Sequence, residues 1–309
     1  MNDYLLENRR AETLDVSDIP RQRRGLTYAA PDGSPRPFDL YYPDEGDGPF
    51  PLIVNISGGG WFYGCPTSVH LGRTLHNSVR RGYAFASLAC TSSKYRKFPY
   101  QIREAKRALR HLRRHAAELD VDESFIAYWS FSSGGHLSLM AALAPDDDYF
   151  DDPADAGVSC RVSALVAMYP CCRLEITEED FRAIGLEPEN YHSCLRSAEA
   201  FFLGVPTEDA PELCLQADPI THLRPDAPPI MLLHGTGDTV VPYTTSLEFA
   251  QRYREVAGAE KLLTRFLPGA GHSDPAFKDD AMCGEILDFL DRVRLGQTPC
   301  PPERQGIDL

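Results

Sequence analysis

Hydrophobic positions along this chain switch repeatedly between two patterns. Short apolar runs, of which Leu52-Ile53-Val54-Asn55-Ile56 is the most continuous, predict strands buried on both faces of a sheet. Further runs at Tyr83 to Cys90, Phe125 to Trp129, Val162 to Tyr169, Pro229 to His234 and Lys261 to Leu267 predict the same. Phe38-Asp39-Leu40-Tyr41-Tyr42 predicts a strand ended by Pro43, and Asp44 to Pro51 a turn rich in Gly, Asp and Pro. Between the runs, apolar residues recur at helical spacing, as with Ile102, Ala105, Leu109 and Leu112 in 101–118. Helices are also predicted at 68–81, 134–144, 244–257 and near 276–294. Strands alternating with helices imply a mostly parallel sheet covered on both faces, an α/β fold.

Two segments break the rhythm. Residues 1–25 are charged and weakly periodic, and predict an N-terminal arm packed on the main domain. Residues 173–223 hold Pro188, Pro206, Pro211 and Pro219 with short helical pieces such as Ser197 to Leu203. They read as a small helical insertion after the sixth strand, a candidate lid. The expected division is therefore an arm (1–25), one α/β domain (26–295) and a tail (296–309), with no internal repeat.

Composition narrows the partners. A chain of 309 residues with 43% hydrophobic content can bury one large core. A net charge of −14 argues against nucleic acid or an anionic membrane, since phosphate binding needs clustered Lys and Arg. The one basic stretch, Arg103 to Arg114, is expected to be a solvated helix face. Nine cysteines show neither CxxC nor Cys/His metal spacing, so no metal or organic cofactor is expected. Cys90, Cys160, Cys171 and Cys172 lie in or beside apolar segments, where a free thiol acts as a small hydrophobe. Adjacent Cys171 and Cys172 are expected as two thiols rather than a strained disulfide. The first residues lack the basic start and apolar core of a secretory signal, and no run approaches the about 18 apolar residues of a membrane span. The expectation is a soluble, cytoplasmic protein; a homodimer is left open.

The chemistry concentrates in Ser130-Phe131-Ser132-Ser133-Gly134, between a predicted strand and a predicted helix. A hydroxyl at the tip of such a turn is where a nucleophilic serine is needed, and its neighbours two positions away must be small. The usual G-x-S-x-G reads S-x-S-x-G here. An acyl-transfer serine also requires a base, an acid that orients the base, and donors for the oxyanion. Asp238, in a loop just past the strand ending at His234, is the best acid, although Gly237-Asp238 alone is equally an ordinary turn. His272, in Pro268-Gly269-Ala270-Gly271-His272, is the best base. His136 is expected to pack locally and His234 to brace the acid loop. The glycine run Ser57-Gly58-Gly59-Gly60-Trp61 offers backbone amides for an oxyanion, with Gly59, Gly60 and Ser133 as the candidate donors. Trp61, Phe62, Tyr63 and Phe131 flank these segments and are candidates to line an acyl pocket, or ordinary core aromatics.

Four segments together resemble an α/β-hydrolase of the carboxylesterase kind, close to the hormone-sensitive-lipase-like and feruloyl/acetyl-esterase-like group. They are Ser57 to Trp61, Phe98-Pro99-Tyr100-Gln101-Ile102, Ser132 to His136, and His234 to Pro242 with Gly271-His272. The resemblance implies a serine esterase with a Ser132-His272-Asp238 triad, no cofactor, and a small-molecule ester of a short or aromatic acyl group as substrate. Members of the group usually carry His where Ser57 stands, and Gly where Ser130 stands. An amide hydrolase of the arylformamidase or peptidase type would use the same triad. A non-catalytic binding protein on this fold would typically have lost a triad member, and this chain keeps all three.

Overall fold

A computed structural model describes residues 14–307, apart from residues 63, 65, 67, 69, 70, 153, 154, 156, 191 and 193. Residues 1–13 of the expected arm, and Tyr63, lie outside the described residues. Eight strands form one sheet: β1 (Gln22–Ala29), β2 (Pro35–Tyr41), β3 (Phe50–Ile56), β4 (Ala84–Leu88), β5 (Val121–Phe131), β6 (Ala164–Met168), β7 (Ile230–Gly235) and β8 (Leu262–Leu267). Their spatial order is β1-β2-β4-β3-β5-β6-β7-β8, with β2 antiparallel to both neighbours and every other pair parallel. This is the mostly parallel sheet of an α/β-hydrolase.

Alternate residues of each central strand feed opposite faces. Leu52, Val54 and Ile56 join one core with α2 (Tyr100–Arg114), α3 (Ser133–Leu143) and α7 (Tyr243–Ala257). Ile53, Ala127 and Trp129 join the other with α1 (Gly72–Arg80) and α8 (Asp280–Arg294). Full burial of each such large aliphatic side chain contributes about 1.5–3 kcal/mol, so a strand sealed on both faces sits at the most stable part of the sheet. The ends of β3, β5, β6, β7 and β8 all point to one edge, where the loops that matter chemically emerge.

Between β6 and β7 the chain makes three short helices, α4 (Glu178–Arg182), α5 (Ala198–Leu203) and α6 (Pro211–Ala217), at the place of the expected insertion. Thr177 and Asp180 close a reciprocal capping box on α4, and Ser197 caps α5, so local hydrogen bonds define these pieces without a long apolar stripe.

Two differences from the sequence reading, the start of β1 and the basic face of α2, have physical causes. Strand β1 begins at Gln22, inside the expected arm; as an edge strand it is half exposed and shows no apolar alternation. Upstream of it, Val16 and Ile19 are buried against α1 and α8. The basic face of α2 is not solvated: Lys106 is fully buried and reaches Ala144 O at 2.7 Å and Asp151 Oδ1 at 2.6 Å. Arg107, Arg110 and Arg114 pair with Asp152, Asp151 and Asp155, because these acidic residues lie back over the helix. The tail is tied down, with Cys300 N donating to Glu260 O and Arg254 to Gly306 O. Cys171 and Cys172 are buried free thiols, pushed up by burial. Among the described residues no helix is long and apolar enough to cross a membrane, and no cluster of three or more metal-ligating side chains occurs.

Candidate active site

Strand β5 runs straight into the candidate nucleophile. Ser132 has φ 54° and ψ −133°, a left-handed conformation that costs an L-residue about 1–3 kcal/mol and persists only where the surroundings impose it. The surroundings are the end of β3. A Cβ on Gly134 would stand 2.0 Å from Ile56 O, so only glycine lets α3 start this close. Ser130, in place of the usual glycine, is used: its hydroxyl oxygen accepts from Ile56 N at 3.0 Å and from the Ser138 hydroxyl at 2.8 Å. The elbow is thereby stitched to β3 by polar contacts as well as by steric fit.

His272 Nε2 lies 3.0 Å from Ser132 Oγ, and His272 Nδ1 lies 2.7 Å from Asp238 Oδ2. The acid and base loops are fastened together, with Gly237 N donating to Ala270 O at 3.0 Å. Asp238 is wholly buried; its Oδ1 accepts from Val240 N and Val241 N, and its Oδ2 also from His234 Nε2 at 3.1 Å. Burial alone would favour the neutral acid, but hydrogen bonds from His234 and His272 outweigh it and hold the carboxyl well below the usual carboxylate range. An imidazole placed between an anionic carboxylate and a hydroxyl is poised to take the hydroxyl proton.

The glycine loop follows β3. A Cβ on Gly58 would stand 2.7 Å from Phe131 O and 3.1 Å from Ser132 Cβ, so this glycine sets how closely the loop meets the nucleophile. Sequence reasoning passed over Gly58 in favour of Gly59 and Gly60. Those two have φ 135° and 59°, and their amides donate to no protein acceptor among the described residues. Ser133 N is the first amide of α3 and has no intrahelical partner.

Trp61 is 6% and Phe131 4% exposed. The indole stacks on Phe202, with ring centroids 4.7 Å apart, and Nε1 donates to His136 Nδ1 at 3.2 Å. His136 in turn donates from Nε2 to Ala217 O at 2.8 Å, and burial holds its ring neutral, with a pKa lowered to about 4. This histidine therefore anchors the end of the glycine loop to the insertion. Phe131 faces Tyr169 and carries the Lys278 ammonium 4.6 Å from its ring centroid. Tyr169 also packs on His272, with centroids 4.7 Å apart. Its position directly after an apolar strand was the available signal for that role.

Comparison with known proteins places the chain in a family. The BD-FAE family profile matches residues 38–253. The chain belongs to the BD-FAE family. It is similar to "Esterase LipC" of Mycobacterium tuberculosis, 26% identical over 250 residues covering 81% of this chain and 56% of the relative. It is also similar to "Probable carboxylic ester hydrolase LipM" of the same organism, 31% identical over 216 residues covering 68% of this chain and 46% of the relative. This BD-FAE chain thus spans about half the length of these curated relatives. Among solved structures, a truncated carbohydrate esterase from gut microbiota superposes with a TM-score of 0.75 at 23% identity, covering 92% of this chain and all of that one. A propionate-bound esterase 2 from Thermogutta terrifontis gives 0.67 at 23% identity, covering 90% of this chain and 96% of that one. At these identities the structural likeness shows the fold.

Proposed function

We propose that this protein is a serine hydrolase that cleaves carboxylic esters of short or aromatic acyl groups. The observation that carries the reading is the continuous donor chain at the sheet edge, Ser132 Oγ to His272 Nε2 at 3.0 Å and His272 Nδ1 to Asp238 Oδ2 at 2.7 Å. Ser132 attacks the ester carbonyl while His272 takes its proton. His272 returns that proton to the leaving alcohol, and Asp238 holds the imidazole in the required tautomer and stabilises its cation. Water then repeats the cycle on the acyl-enzyme.

The amides of Gly59, Gly60 and Ser133 are the proposed oxyanion donors, and each is worth about 3 kcal/mol to the transition state. Trp61 and Phe131 would form the closed end of an acyl pocket, which suits short groups, and the insertion would cover the cleft as a lid. The esterase names of two mycobacterial relatives, and the propionate held by a structurally similar esterase, support an ester of a short acid as substrate.

Hydrolysis of 4-nitrophenyl acetate, butyrate and octanoate beside a Ser132→Ala variant tests this. The expected result is activity that falls with chain length and drops by about 10⁴-fold or more in the variant. Equal activity in both proteins would mean that Ser132 is not the nucleophile.

A further inference from the structure

The proposed oxyanion donors come from two segments far apart in the chain, the glycine loop after β3 and the first turn of α3. Gly58 permits their close approach, but a contact between them has to hold the spacing. The loop is also strained. Gly59, Gly60 and Trp61 have φ of 135°, 59° and 59° in succession, and a left-handed tryptophan persists only where its surroundings impose it.

Those surroundings converge on His136. It lies one turn into α3, its amide donating to Ser132 O at 3.1 Å, and its side chain is wholly buried. A carbonyl can only accept, so the 2.8 Å contact with Ala217 O puts the ring proton on Nε2 and leaves a lone pair on Nδ1. That lone pair receives the Trp61 indole N–H at 3.2 Å. Both polar ends of the imidazole are thus used. The two rings meet edge-on with centroids 5.3 Å apart, and Phe202 packs on both, stacked on Trp61 and edge-on to His136. Behind the loop, Ser93 N donates to Trp61 O at 2.8 Å. Phe202 and Ala217 belong to the insertion, which therefore supplies the frame for this bond.

We infer that His136 is a positioning residue for the oxyanion hole, fixing the glycine loop against α3 through the Trp61 indole. The inference rests on the esterase reading above. The bond joins the residue after Gly60 to the residue three beyond Ser133, and so ties the two sets of donors together. Such donors act on charge that develops only in the transition state, and a misplacement of about 1 Å can cost about 100-fold in rate. Loss of the bond should therefore lower kcat and spare KM.

Three substitutions and one inhibitor test this. His136→Phe keeps a ring beside Phe202 but removes the acceptor, Trp61→Phe keeps the stack but removes the donor, and His136→Gln keeps an acceptor and a donor. With 4-nitrophenyl acetate, each Phe variant is expected to lose about 10- to 100-fold in kcat, with KM within about twofold of wild type. The double variant should be no worse than the worse single one, since both remove the same bond. His136→Gln should recover most of the loss. The inhibitor is 2,2,2-trifluoroacetophenone: Ser132 Oγ adds to its carbonyl carbon, the serine proton passes to His272, and the ketone oxygen takes the negative charge. Its Ki should rise by the factor by which kcat/KM falls. Wild-type kcat in folded Trp61→Phe overturns the inference, and this variant decides alone if His136→Phe does not fold. So do losses that multiply in the double variant, or an unchanged Ki where kcat has fallen. A wild type inactive on 4-nitrophenyl acetate and not inhibited by the ketone would instead overturn the esterase reading.

Discussion

His234 donates from Nε2 to Oδ2 of Asp238 at 3.1 Å, with both side chains wholly buried. The same oxygen receives His272. His234 is itself fixed, because its Nδ1 accepts from the Ser246 hydroxyl at 2.7 Å, which leaves the proton on Nε2. The acid of the proposed triad is therefore aimed from behind by a second imidazole.

Removing that donor should leave more negative charge facing His272 and loosen the carboxylate. His234→Phe is expected to lower kcat/KM by about tenfold, the worth of one buried hydrogen bond, and to move the acid limb of the pH–rate profile to higher pH. His234→Gln, which keeps a donor, should recover part of both effects. A profile that keeps its shape and position would limit His234 to packing.

The approach of α3 to β3 sets a steric prediction. Gly134→Ala places a methyl group 2.0 Å from Ile56 O, and backbone on both sides resists the shift. The variant should lose at least about 3 kcal/mol of stability or expose its cost as a misplaced Ser132, because overpacking a tight site typically costs about 1–3 kcal/mol or more. Urea unfolding and esterase assay of one preparation measure both.

Ser130 carries a milder one. Ser130→Gly restores the usual elbow residue but strips the partners from Ile56 N and the Ser138 hydroxyl. A loss of about 1–3 kcal/mol, or roughly 2–6 °C in Tm, is expected with little change in kcat. A more stable variant would show that the hydroxyl serves something other than the elbow.

Asp218 gives a pH dependence. Burial raises its pKa to about 7, against the amide of Leu174 and the charge of Arg173, which lower it. In the unfolded chain it titrates near 3.8. Between these values the folded state holds a proton the unfolded state has released, so stability present at about pH 4 is lost as the pH rises toward about 7. Asp218→Asn keeps an acceptor for Leu174 and has no proton to lose. Urea midpoints at pH 5 and 8 should therefore drop less in the variant than in the wild type, by the equivalent of a few kcal/mol at most.

Much of the site was legible because its requirements are local. A serine between small neighbours, an acid one loop past a buried strand and a histidine in a glycine-rich loop are set by backbone conformation within a few residues, and the chain places Ser132, Asp238 and His272 at one sheet edge. The strands of the sheet centre read clearly for the same reason, since burial on both faces forces an apolar run. Edge strand β1, half exposed, carries no such pattern.

What the sequence determined by itself is thus the alternation of elements, the elbow and the order of serine, acid and histidine, all of which act over short stretches of chain. Only the tertiary structure decided which side chains meet across long separations. Lys106 looked solvated until acidic residues folded onto it, Trp61 found His136 75 residues away, and His192 came to face Glu199. Such meetings depend on packing geometry, and composition and periodicity hold no record of it.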